Sequence, residues 1–148
     1  MYKTLRIQLG LIFIVLFTLQ NQAQNNQYPS QERVETLLEQ IDECKEVLAD
    51  TEKQIKTMEG DATNYSLADY QEAKNLVDRI KTCLSRNRGE LDAIRKDYPG
   101  WFNSPSLSMP LKKGKTISPK ELEKIFDEVE AKIKAAIERM NALAEPEH

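Results

Sequence analysis

Apolar residues recur at alternating steps of three and four along two long stretches of the chain, and the stretches mirror each other about one turn. The first reads Val34, Leu37, Ile41, Cys44, Leu48, Thr51, Ile55 and Met58. The second reads Tyr70, Ala73, Val77, Ile80, Leu84, Asn87, Leu91, Ile94 and Tyr98. Such steps keep side chains on one helical face, so the pattern predicts two amphipathic helices over about 31–59 and 66–98. Gly60 and Asp61 stop the first, and Ser66, with Asp69 three residues on, caps the second through its hydroxyl.

One antiparallel register fits almost every layer. Pairing positions whose numbers sum to 128 sets Val34 against Ile94, Leu37 against Leu91, Cys44 against Leu84, Leu48 against Ile80, Ile55 against Ala73 and Met58 against Tyr70. Two layers are imperfect, Ile41 with Asn87 and Thr51 with Val77. A polar residue in such a seam more often fixes register than performs chemistry.

Pro99, Gly100, Pro105 and Pro110 then break the pattern and leave a connector over 99–117. A third helix is announced by Ser118-Pro119-Lys120-Glu121, a cap, a first-turn proline and an acid placed to close a capping box. Its seam is Leu122, Phe126, Val129, Ile133, Ala136, Met140 and Leu143, over about 119–144, with Ile125 and Ile137 widening the face. Basic residues Lys74, Lys81, Arg88 and Arg95 follow one flank of the second helix at seven-residue spacing. Antiparallel alignment about residue 109 brings Arg95 to Glu123 and Arg88 to Glu130. The expected fold is all-α: an antiparallel three-helix up-down-up bundle, a helical hairpin plus a third helix, spanning 31–148 behind a short flexible tail at 25–30.

The first 24 residues change the picture of where this bundle works. Lys3 and Arg6 precede an apolar run from Leu9 to Leu19, and polar residues ending in Asn21-Gln22-Ala23-Gln24 follow, the three parts of a cleavable signal peptide. The run falls short of the ~20 apolar residues that span a bilayer. Cleavage after Ala23 is the expected site, and the mature chain is expected to be periplasmic or secreted, with no membrane insertion after cleavage.

The whole chain carries 21 Lys and Arg against 24 Asp and Glu, a net charge of -3. Removing the leader takes away Lys3 and Arg6 and no acid, which leaves 19 against 24, or -5. That balance argues against nucleic acid or an anionic lipid surface as the main partner, since both are held chiefly by excess basic charge.

Candidate chemistry is sparse. Cys44 and Cys83, 39 positions apart and placed almost symmetrically about the turn, suit a disulfide that staples the hairpin in an oxidising compartment. Cys83 sits beside the seam residue Leu84, so the bridge requires some helix rotation. The single histidine, His148, is the last residue, which disfavours zinc, copper and haem, and no cofactor or metal is expected. Glu35, Glu39, Asp42 and Glu46 line the outer face of the first helix and are read as solvated. Asn64-Tyr65-Ser66 matches a glycosylation acceptor, a motif with a high false-positive rate. No Gly-rich phosphate loop, nucleophile elbow or Ser and His pairing is present, so an enzyme is the least supported class.

The connector holds the candidate partner-binding residues: Tyr98, Trp101 and Phe102, then Lys112, Lys113 and Lys115. Two readings compete for the aromatics. They either plug the open end of the bundle or stand exposed as anchors, as Trp and Tyr do at interface hot spots. The functional expectation is an exported, non-enzymatic helical protein acting through protein contacts as an inhibitor, immunity protein or envelope assembly partner of unknown identity. A periplasmic holdase chaperone is the alternative, and seams this regular also suit a homo-oligomer.

Overall fold

The computed structural model describes residues 27–61 and 64–147. The expected leader, the first two tail residues and His148 lie outside the described residues. Helix α1 spans Gln31–Gly60 and α2 spans Leu67–Asp97. A single turn, α3, covers Pro99–Phe102, and the last helix, α4, covers Pro119–Asn141.

Each long helix begins where a serine satisfies backbone donors that the first turn leaves unpaired. Ser30 accepts from the Arg33 amide at 3.1 Å. Ser66 accepts from Asp69 N at 3.1 Å while Asp69 accepts from Ser66 N at 3.4 Å, a complete capping box. Ser118 accepts from Glu121 N at 3.2 Å, the serine half of the expected box. Helix α2 ends at Asp97 because Tyr98 precedes proline, which pushes it out of the helical region to φ -129°.

Contacts between the helix ends give their directions. Arg33, near the start of α1, meets Glu90 at 2.7 Å and Asp97 at 2.9 Å near the end of α2. Gln54, toward the end of α1, donates to the Asp69 carbonyl at 3.3 Å, so α1 and α2 run antiparallel. Arg95 pairs with Glu123 at 3.2 Å and Arg88 pairs with Glu130, the two expected contacts, which set α4 antiparallel to α2. Arg139 pairs with Glu59, bringing the ends of α4 and α1 together.

The core follows the expected seams along most of their length, with Leu76 buried in addition and Tyr70, Tyr98 and Leu143 only half-buried at the ends. Val34, Leu37, Ile41, Cys44, Ile55 and Met58 from α1 are at most 1 % exposed, as are Ala73, Ile80 and Ile94 from α2 and Leu122, Ile133 and Ala136 from α4. Along α2, Cys83 is buried and Leu84 only half-buried, the reverse of the expected order. Helix α2 touches both α1 and α4, so its apolar face is wider than a two-helix seam and reaches one residue further round. Thr51 enters its apolar layer at little cost, because its hydroxyl donates to the Val47 carbonyl one turn back at 2.7 Å.

The connector differs most from expectation. Where an irregular loop over 99–117 was expected, the chain forms the α3 turn and then a small antiparallel hairpin of β1, Met109–Pro110, and β2, Thr116–Ile117. Met109, Leu111 and Ile117 bury themselves on the core, and Pro110 sits where a two-stranded ladder leaves its missing donor on an edge. The all-α class holds with this two-stranded addition. Helix α4 stops at Asn141, three residues short of the expected end.

Candidate functional site

Two places concentrate the residues with distinctive chemistry: the connector end of the molecule and the cysteine pair. At the connector, Pro99 pre-sets the first helical position, so the chain turns immediately after α2 and carries Trp101 and Phe102 inward. Trp101 is fully buried, and its indole N–H donates to the Leu107 carbonyl at 2.8 Å. Its ring meets Phe102 edge-on, with centroids 6.1 Å apart.

Arg95 lies 4.8 Å from the Phe102 ring and Arg33 5.8 Å from the Tyr98 ring, so two cations cap the aromatics from outside. Trp101 and Phe102 are therefore removed from the set of exposed anchors. They close the end of the helices, because a buried indole whose one donor is already paired has no face left for a partner. Tyr98 is half-buried beneath Arg33.

The lysines stand apart from that plug. Lys112, Lys113 and Lys115 are all exposed at the tip between β1 and β2, where a 3-10 turn covers Lys112–Gly114. The reversal is tight enough to need left-handed backbone at Lys113, φ 60°, and at Gly114, φ 71°. Leu111 N donates to the Lys115 carbonyl at 2.7 Å across the tip, and Lys112 N donates to the Glu35 carboxylate at 2.7 Å. Glu35 was expected to be a solvated face residue, and instead it ties the hairpin to α1.

Leu107, 41 % exposed, escaped the sequence reading. Its carbonyl is held by Trp101, which leaves the side chain outside. Nothing in the periodicity marks it, because it lies in a segment too short to show any.

At the cysteine pair, the Cα atoms of Cys44 and Cys83 are 5.8 Å apart, inside the ~4.4–6.8 Å range of disulfides, and the sulfurs stand at disulfide distance. Such a pair is compatible with an exported protein. The buried Asn87 amide donates to Cys44 Sγ at 2.9 Å and to the Gln40 carbonyl at 3.4 Å. Turning the amide over would set two oxygens against each other at Gln40, so the donors of Asn87 belong where they are. Its Oδ1 is left with no partner. The Arg86 guanidinium reaches Cys83 Sγ at 3.8 Å and pairs with Glu43 at 3.6 Å.

Three charged groups depart from their ordinary proton affinities. Hydrogen bonds donated first to Glu90 and then to Asp97 hold the Arg33 guanidinium still more firmly protonated than usual, and those donated to Glu59 do the same for Arg139. The Arg88 guanidinium, and less strongly the Lys134 ammonium, hold the Glu130 carboxyl below its usual value against the opposing effect of burial.

Among the described residues, no helix is long and apolar enough to cross a membrane, and no group of three His, Cys, Asp or Glu side chains is placed to hold a metal ion. Fold and site together define a mostly helical protein of the all-α class with a cysteine pair at disulfide distance. No protein-family model, curated protein or solved structure matches the chain.

Proposed function

We propose that this is an exported three-helix up-down-up bundle, stapled by a Cys44–Cys83 disulfide, that works without a cofactor by binding another protein at its connector hairpin. The observation that carries this reading is the rigid display of Lys112, Lys113 and Lys115. Three exposed cations stand on a tight hairpin whose base is anchored by buried Met109, Leu111 and Ile117 and whose edge is tied to Glu35. A preorganised tip loses little freedom on binding, which is how rigid elements gain affinity. Local positive charge on an acidic chain suits an acidic protein surface.

The apolar seams also bear on partnership. Most of their residues are buried within one chain, so little seam remains for a second copy. The test compares the exported protein with a Lys112→Glu, Lys113→Glu, Lys115→Glu triple variant in cross-linking against native envelope extract. The reading expects a complex of defined stoichiometry that the triple variant loses while keeping its helical content and melting temperature. Equal recovery by both proteins would contradict it. Suppression of aggregation in several unrelated clients, with no defined complex, would replace it with a holdase.

A further inference from the structure

We propose that the Cys44–Cys83 bond is a thiol-exchange site, opened by an external dithiol at Cys83 and poised for reduction by Asn87. This rests on the reading that the two cysteines are bonded, and it adds an activity to what would otherwise be a staple.

The two sulfurs differ in access. Cys44 is fully buried, whereas Cys83 lines an open groove between α1 and α2 of about 360 Å³, walled by Glu43, Val47, Arg79 and Arg86. Grooves of ~300–1,000 Å³ admit small ligands, so an incoming thiol has a route to Cys83, which keeps 9 % exposure at the groove wall, and none to Cys44, which keeps 0 %. Arg86, beside that sulfur, favours the approach of a thiolate.

A thiolate of the external dithiol attacks Cys83 Sγ and forms a new sulfur–sulfur bond. The Cys44–Cys83 bond breaks, and its electron pair leaves on Cys44 as a thiolate. The second thiol of the reductant then attacks its own partner sulfur, releases Cys83 and leaves as a disulfide. Two electrons and two protons have passed to the protein.

Asn87 is built for the product. One of its amide N–H groups already faces Cys44 Sγ while the other is held by the Gln40 carbonyl, and a donor stabilises a leaving thiolate more than a neutral disulfide. Its Oδ1 has no hydrogen-bond partner while the cysteines are bonded. Reduction creates two S–H donors in this buried place. On this proposal the Cys44 S–H, beside the Asn87 amide, turns to Oδ1, and the other, on Cys83, has the Gln40 carbonyl at 3.9 Å. An unpaired buried acceptor is costly, so the bonded form carries a penalty that the dithiol form sheds.

The experiment equilibrates the exported full chain in dithiothreitol redox buffers, alkylates it, and counts free thiols by mass for wild type, Asn87→Leu and Arg86→Ala. Before any reductant, wild type is expected to show no free thiol. Two free thiols at that stage would overturn the bonded reading and this proposal together. With the bond present, Asn87→Leu is expected to shift the equilibrium about tenfold toward the disulfide, or roughly 30 mV for a two-electron couple. Arg86→Ala is expected to slow reduction about threefold at low salt and less at high salt, since an exposed charge is screened.

A second arm avoids dependence on how Asn87→Leu folds. With oxidised glutathione, folded Cys44→Ala is expected to form a mixed disulfide at Cys83, and folded Cys83→Ala to form none at Cys44. An unchanged equilibrium in Asn87→Leu, or equal modification of the two single-cysteine variants, would overturn the exchange site while leaving the staple in place.

Discussion

Trp101 shows how one side chain decides what the connector does. It is the only tryptophan of the chain, and it is buried with its N–H paired to Leu107. Truncating a buried aromatic costs ~3–5 kcal/mol, a large share of the ~5–15 kcal/mol that holds a domain together. Trp101→Ala should therefore lower the urea midpoint severely, and it acts on folding rather than on a binding face. In the intact protein, Trp emission should resist iodide quenching, whereas quenching as efficient as that of free indole would place the ring in solvent and restore it as an anchor. Asn87, a polar residue in an apolar seam, was expected to fix register, and its contacts with Cys44 and Gln40 do bridge α1 and α2, but its unpaired oxygen is a cost that a purely structural role leaves unexplained.

Between elements, charge pairs select orientation while apolar faces supply the stability. Arg95–Glu123 is nearly half-exposed on both sides, and such a pair contributes only ~0.2–1 kcal/mol. Glu130 is better covered and accepts from both Arg88 and Lys134. Because its folded value lies below the ordinary 4.5, the folded chain binds fewer protons than the unfolded one between those two values. Its contribution is thus complete above pH ~4.5 and is lost as pH falls through the depressed folded value. Melting temperature should drop between pH 5 and pH 2 in the wild type, and Glu130→Gln should show a shallower drop over that window. Parallel curves for the two proteins would show that α4 does not rely on this contact.

For the molecule as a whole, legibility tracked periodicity. The α1 and α2 seams and the α2–α4 charge stripe repeat over many turns, so small local irregularities average out. Both Arg95–Glu123 and Arg88–Glu130 lie where alignment about residue 109 puts them, and the Cys44–Cys83 and Gln40–Asn87 contacts each sum to 127, one from the predicted 128. What one residue of error conceals is which of two adjacent side chains faces inward, and that is why Cys83 rather than Leu84 is buried.

The connector was illegible for the opposite reason. Strands of two residues have no period, and the hairpin exists because Met109, Leu111 and Ile117 have a core to rest on. Leu107 and the tie from Lys112 to Glu35 likewise depend on where distant segments lie, information that no local pattern carries.

Helices α1 and α2 lie side by side in antiparallel register with Cys44 facing Cys83. Spin labels carried at Lys45 and Lys81, both exposed, test it directly. Neighbouring helix axes sit ~8–10 Å apart, so a label separation below about 25 Å is expected once linker lengths are added. A continuous rod at 1.5 Å per residue would place the same labels roughly 54 Å apart, and a distance near that value would contradict the fold and every site argued from it.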